Sequence, residues 1–111
     1  NRVVPIGEPV TIQAELLDKL NRVVAMAGEP VYLGQVIYSQ QGLEYGQAII
    51  NQAQQGQTPV SAFTNDRGIA TFVIRGTKAS EDPVYFEANL VNGTQYYPYG
   101  YSEILPIRFG R

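Results

Sequence analysis

The chain lacks several of the residue types on which protein chemistry most often depends. Its 111 residues include no cysteine, no histidine and no tryptophan. Without cysteine there is no disulfide and no thiolate, although this alone does not identify a cellular compartment. The commonest general base and the commonest thiol nucleophile are therefore both missing. The adjacent acids Glu81 and Asp82 do not converge, because neighbours in an extended chain point to opposite faces. We expect no catalytic residue, no cofactor and no enzymatic activity.

Charge and long apolar runs are also scarce. Charged residues make up 16% of the chain and the formal net charge is −2, whereas soluble domains typically contain about 25% charged residues. No basic patch indicates a nucleic-acid partner. No apolar run approaches the ~20 residues that span a bilayer, so direct membrane insertion is not expected. The length indicates one domain over residues 1–111. Because the chain starts at Asn1 rather than at methionine, we interpret it as a processed protein or a domain of a larger multidomain protein.

Alternating apolar and polar residues predict strands along most of the chain. The predicted strands cover residues 2–6, 10–16, 31–38, 59–64, 69–74, 84–90 and 104–109. The glutamine-rich residues 39–57 are the least patterned part. One or two short strands are expected there, including one at 48–51, and the alternative is a helix over 45–54. Residues 23–28 are expected to form an irregular crossing, because Gly28 and Pro30 close the segment within a few residues.

Seven or eight mostly antiparallel strands joined by turns, without a convincing long helix, indicate an all-β sandwich. The strand count alone would not separate a sandwich from a small barrel. The expected centre of the core is Phe72, Phe86, Ile12, Leu33 and Leu90, and the closing strand is expected to face it with Leu105, Ile107 and Phe109.

Three residues carry expectations about individual strands. Pro5 and Pro106 cannot donate to a ladder, so each places its strand at a sheet edge. An edge that carries Pro106 and Arg108 is protected against open-ended pairing, which favours a monomer. Gly34 interrupts the alternation of its strand and predicts a bulge.

Two motifs together resemble a known family. The first is a strand, an Asp-x-x-Asn turn, a crossing and a second strand, carried by residues 10–14, Asp18, Asn21, 24–25 and Val31. The second is the turn and strand Thr-Asn-Asp-Arg-Gly-Ile-Ala-Thr-Phe at 64–72. Together they resemble bacterial Ig-like domains of the invasin/intimin type, over about residues 9–90. The resemblance implies an Ig-like β-sandwich that orients adjacent domains in a bacterial cell-surface or secreted protein, and it implies no catalytic residues.

The chain departs from the family in three places. Arg67 stands where the family often has asparagine, residues 39–57 form a longer excursion, and a tyrosine-rich insertion precedes the last strand. The second and third departures are where a role specific to this domain would lie.

Four oxygen-bearing side chains in turns could in principle hold a calcium ion, which prefers hard oxygen ligands. They are Asp18, Asn21, Asn65 and Asp66. Hydrogen bonding of each side chain to its own turn explains all four without a metal, so no metal site is predicted.

The tyrosine-rich segment 95–101 is the candidate binding site. It contains Tyr96, Tyr97, Tyr99 and Tyr101. Tyrosine offers a large, rigid contact area at low entropic cost and is favoured at interfaces. The segment could contact a glycan, a host or cell-surface protein, or an adjacent domain, and the alternative is that half of its rings fold back over the end of the sandwich.

The sequence thus predicts a non-catalytic structural module that spaces and orients its neighbours, located outside the cell or on its surface. A second hypothesis is an adhesion module, or a carbohydrate- or protein-binding module, that uses the segment 95–101. A third is an accessory domain of a polysaccharide-acting enzyme.

Overall fold

The computed structural model describes residues 2–18, 20–39, 42–45, 48–79, 81–90 and 105–110. These residues contain nine strands and no helix. The strands are β1 (Arg2–Pro5), β2 (Val10–Glu15), β3 (Pro30–Ser39), β4 (Gly42–Tyr45), β5 (Ile49–Ile50), β6 (Val60–Phe63), β7 (Ile69–Arg75), β8 (Val84–Asn89) and β9 (Leu105–Gly110).

The strands form two sheets. One is six-stranded, with the order β1-β9-β8-β3-β4 and with β6 also paired to β3, and the other has the order β2-β7-β5. Among the described strands, β1 and β9 form the one parallel pair, and every other ladder is antiparallel. The prediction of an all-β sandwich of mostly antiparallel strands is confirmed.

Two short strands, β4 and β5, lie within residues 39–57, where one or two were expected, although the position of β4 was not predicted. β4 pairs with the last four residues of β3, from Val36↔Tyr45 to Ser39↔Gly42. The short strand expected at 48–51 is present as β5, and the described part of 45–54 contains no helix. The segment 23–28 is an irregular crossing, as predicted.

The core lies between the two sheets and follows the two-residue period of the strands. In β7, Ala70, Phe72 and Ile74 are fully buried, while Thr71 and Val73 between them are exposed. From the first sheet, Phe86 and Phe109 meet edge to face, with ring centroids 6.3 Å apart and planes at 88°. The expected burial of Phe72, Phe86 and Leu33 is confirmed, and Ile12 is partly buried against the same cluster.

Two leucines expected in the core are exposed. Leu90 is 45% exposed because β8 and its ladder with β3 end at Asn89, so that Leu90 no longer follows the inward face. Leu105 is 43% exposed at the first position of β9, whereas Ile107 and Phe109 are buried as predicted.

The two prolines have different positions. Pro5 lies on β1, which is an edge strand as predicted. The prediction that Pro106 marks an edge is wrong, because β9 lies between β1 and β8. Proline is tolerated there because the described ladder with β1 begins one residue later, at Arg2↔Ile107, so no donor is needed on that side at Pro106.

The predicted bulge at Gly34 is absent, since the register with β8 runs unbroken from Tyr32↔Asn89 to Ile37↔Val84. The apolar alternation is interrupted instead by Gln35, which is buried on the inward face of β3.

Candidate functional site

Several large apolar side chains lie exposed at one end of the sandwich. β2 ends there and β7 begins there, as Glu15↔Ile69 shows, and β6 ends there opposite the start of β3, at Pro30↔Phe63. We call this surface the apolar end. It is defined by Leu17, Leu20, Val23, Met26 and Phe63.

All five apolar side chains of the apolar end are about half exposed or more. Leu20 is 71% exposed, Phe63 70%, Val23 56%, Leu17 50% and Met26 48%. β8 also ends at the apolar end, because it runs antiparallel to β3. Leu90, the next residue after β8, is exposed as well. Single exposed hydrophobics are normal, whereas a large contiguous apolar patch marks an interaction site, so we take the apolar end as the candidate site.

Four of the five residues lie between β2 and β3, on residues 16–29, which we call the crossing segment. A small turn holds Leu17, Leu20 and Val23 in place. Leu17 and Val23 face each other in an antiparallel bridge. Between them the carboxylate of Asp18 accepts hydrogen bonds from the backbone N–H of Leu20 at 2.8 Å, from that of Arg22 at 2.9 Å, and from Arg22 Nε at 2.9 Å. Both carboxylate oxygens therefore serve the turn, and the leucine at its tip is left facing water.

The same hydrogen bonds affect the ionisation of Asp18. Donation from the backbone N–H of Arg22 is the largest cause, and it lowers the pKa of Asp18 below its ordinary value of 3.8. Desolvation opposes this shift, and donation from the Leu20 N–H and from the Arg22 side chain adds to it. Asn21 adopts φ 60° in this turn, a left-handed conformation that asparagine tolerates better than most residues.

Thr64 ties the second half of the crossing segment to the end of β6. Its hydroxyl donates to Met26 O at 2.6 Å and accepts from the Glu29 N–H at 3.0 Å. Two backbone bonds flank it, from Gly28 N–H to Thr64 O and from Thr64 N–H to Glu29 O, each 2.9 Å. Thr64 itself is buried, whereas its partners Met26, Gly28 and Glu29 are exposed.

Gly68 joins the crossing segment to the turn between β6 and β7. Its carbonyl accepts from the Leu16 N–H at 2.9 Å. Its φ is +76°, and a Cβ added there would overlap the carbonyl oxygen of Val24. Glycine is needed for both reasons. The two motifs on which the family resemblance rests are therefore packed against each other, a contact that no local sequence pattern indicated.

Turn formation accounts for the side chain of Asn65 as well. Asn65 Oδ1 accepts from the backbone N–H groups of Arg67 at 2.9 Å and Ile69 at 3.1 Å. The Gly68 N–H closes the turn on Asn65 O at 2.9 Å. Among the residues whose side chains are described, no group of three or more acidic residues is placed to hold a metal ion.

Sequence reasoning missed the buried amide of Gln35, which links the two sheets. Its Nε2 donates to Ala48 O at 2.8 Å and to Gln57 O at 3.2 Å, and its Oε1 accepts from the Ala48 N–H at 2.9 Å. The amide thus pairs with the backbone that leads into β5. The signal was the break in the series Val31, Leu33, Gln35, where a polar residue takes an inward position. Because the amide oxygen and nitrogen of Gln35 are both hydrogen-bonded, we assign Gln35 a structural role in connecting the two sheets.

The sequence-predicted binding residues Tyr96, Tyr97, Tyr99 and Tyr101 lie outside the described residues. The nearest described residues on either side are the exposed leucines Leu90 and Leu105.

No helix that is long and apolar enough to cross a membrane occurs in the part of the chain that the structure describes. Comparisons of the chain with models of protein families, with curated proteins and with solved structures found no match.

Proposed function

We propose that the chain is a non-catalytic, Ig-like structural module that spaces and orients adjacent domains of a bacterial cell-surface or secreted protein. The strand order supports the Ig-like assignment. With the strands lettered in chain order as in Ig domains, β2-β7-β5 corresponds to B-E-D and β9-β8-β3 to G-F-C, with β4 as the C′ strand. β6 is then an additional strand beside C.

The path of the first and last strands supports a spacer role. β1 and β9 are parallel neighbours, in register from Arg2↔Ile107 to Pro5↔Gly110. The chain therefore runs in the same direction along both strands. A domain joined before Arg2 and a domain joined after Gly110 would therefore extend from the sandwich in opposite directions along these two strands.

The observation that carries the proposal is the apolar end. It lies in the direction from which the chain enters β1, so a preceding domain would be on that side. β1 runs away from that end, as β9 does. Arg2 lies level with Val84, six residues along β8 from Leu90. Since a strand rises about 3.3 Å per residue, a linker would cover roughly 20 Å to bring a preceding domain onto the apolar end. Contact with that domain would bury the exposed leucines, Met26 and Phe63, and would fix the angle between the two domains.

Met26 provides the test, because it is the single methionine of this chain. Peroxide oxidises exposed methionine to the sulfoxide, and mass spectrometry of the peptide that contains Met26 reports the rate. Met26 should oxidise readily in the isolated domain and several-fold more slowly in the full-length protein. Denatured full-length protein is the control for reagent dose. Equal rates in the folded domain and the folded full-length protein would overturn the proposal.

A second candidate function is adhesion, or binding of a glycan or of a host or cell-surface protein, through residues 95–101. It is favoured by the exposure of Leu90 and Leu105, the described residues that flank this part of the chain. Replacement of Tyr97 and Tyr99 by alanine should abolish binding to a glycan or protein array on which the unchanged domain binds. Retained binding would exclude these tyrosines. The third hypothesis, an accessory role in a polysaccharide-acting enzyme, requires a catalytic domain in the same polypeptide, which the full-length gene would reveal.

A further inference from the structure

Within the described part of the chain, β2 is an open edge of the second sheet. It stands at the end of the order β2-β7-β5, and among the described strands it pairs with β7 alone. Native proteins blunt such edges with short strands, lysine, proline or bulges. The other edge strands follow this rule, since β1, β4 and β6 have four residues each, β5 has two, and β1 carries Pro5. β2 has six regular residues, Val-Thr-Ile-Gln-Ala-Glu, with no lysine and no proline.

One hydrogen bond at the end of β2 identifies the peptide groups that point outward. The Leu16 N–H donates to Gly68 O, on the β7 side. Peptide groups of successive residues point to opposite sides of a strand, so those of Val10, Ile12 and Ala14, which alternate with Leu16, also point towards β7. The N–H and C=O groups of Thr11, Gln13 and Glu15 therefore point away from β7, along the open edge.

The inward face of β2 is also incompletely covered. Phe72 and Ala70 on β7 are 0% exposed. Their direct partners in the ladder, Ile12 and Ala14, are only half-buried, although they face the same core. A strand added beside β2 would cover these two side chains and would use the free peptide groups.

We propose that this strand is β2 of a second copy of the chain, paired antiparallel about a two-fold axis at Gln13. In that register Gln13 faces Gln13, Thr11 faces Glu15, and Ile12 faces Ala14. Inward side chains meet inward side chains, as a closed two-fold interface requires. Glu15 faces a threonine and not a second glutamate, which avoids like charges in direct opposition.

This register uses every outward peptide group. Thr11, Gln13 and Glu15 of one copy face Glu15, Gln13 and Thr11 of the other, and each such pair exchanges two hydrogen bonds. Shifting the axis to Ile12 would place Pro9 opposite Glu15, and proline has no N–H to donate. The axis at Gln13 avoids this loss, because none of its three hydrogen-bonded pairs contains proline.

One strand pair buries less than the roughly 1,200 Å² of a standard interface, so the association should be weak and depend on concentration. Sedimentation equilibrium measures it. The apparent mass should rise with concentration from the 12.3 kDa of one chain towards twice that value. A mass that stays at one chain at every concentration would overturn the proposal.

Gln13→Lys tests the register, because it places two positive charges face to face on the axis. The control is Thr71→Lys, since Thr71 is the β7 partner of Gln13 and is exposed on the same face, one strand further in. Gln13→Lys should lower the association constant at least tenfold, and Thr71→Lys should leave it unchanged. An equal loss in both variants, or none in Gln13→Lys, would overturn the proposal.

Two further samples separate this edge from the apolar end. An equimolar mixture of Gln13→Lys and Gln13→Glu should regain association, because opposite charges then face each other on the axis. Phe63→Ser should associate as the unchanged chain does. Failure of the mixture to associate, or loss of association in Phe63→Ser, would overturn the proposal.

Discussion

The packing of the crossing segment against the turn at Gly68 can be tested with one alanine. Gly68 has φ +76°, and an added Cβ would overlap the backbone oxygen of Val24. Gly28 is a matched control, because its φ is +82° and an added Cβ would have no atom within 4 Å. Both replacements impose the same conformational strain, and only Gly68→Ala adds the steric overlap.

The magnitudes follow from these two terms. A non-glycine residue held at positive φ costs about 1–2 kcal/mol. Overpacking of a closely packed site adds about 1–3 kcal/mol, and the obstacle here is backbone, which moves less readily than the end of a side chain. Gly28→Ala should therefore lose about 1 kcal/mol of unfolding free energy and Gly68→Ala about 3 kcal/mol, a large part of the 5–15 kcal/mol of a typical domain.

Urea denaturation measures the difference. The midpoint should fall further for Gly68→Ala than for Gly28→Ala, with the slope m unchanged in both variants. Equal losses in the two variants would refute the claim that the crossing segment packs on the turn. The apolar end would then lack the support that we assign to it.

Three other substitutions probe the interior and the charges. Gln35→Leu should cost about 2 kcal/mol in urea denaturation, because the Ala48 N–H loses its partner inside the protein; an unchanged midpoint would contradict this role. Burial raises the pKa of Glu87, so the native state binds more protons there and loses stability as the pH rises above the unfolded value. Glu87→Gln should therefore melt higher than the unchanged chain at pH 7 and equally at pH 3, and equal melting at pH 7 would refute this. The pKa of Asp18 is lowered, so its contribution is present above the unfolded value and is lost as the pH falls through the folded value. The deficit of Asp18→Asn in thermal melts should therefore shrink in acid, and a constant deficit would refute the argument.

Local patterns predicted much of the fold. The period-two alternation of β2 and β7 identified both strands and their inward faces, because one face of each is buried. The turn at Asn65 was predicted from residue types that bond to their own backbone. These features depend on a few neighbouring residues, and the chain supplies that information directly.

Other features depend on where an element lies in the sheet. Pro106 was compatible with an edge, but whether β9 has neighbours on both sides is decided by the path of β1. Leu90 continued an apolar alternation, but the end of the ladder with β3 is set by pairing between strands far apart in sequence.

The candidate site was the least predictable part. Residues 23–28 have no period that would show which side chains face water. Their exposure results from the Thr64 and Gly68 contacts, which join residues roughly 40 positions apart along the chain. Composition alone indicates the tyrosine segment, and its role stays a prediction.

The central claim is that the apolar end holds a neighbouring domain at a fixed angle. Pulsed electron spin resonance on the full-length protein measures this directly, with one label at Thr71 and one on the preceding domain. The 111-residue chain contains no cysteine, so a cysteine introduced at position 71 is unique within this chain. The unchanged protein should give a narrow distance distribution, and Leu20→Ser with Phe63→Ser should broaden it. Val3→Ser with Val73→Ser, which replaces two exposed valines away from the apolar end, should not. A distribution that is equally broad in all three proteins would contradict the account.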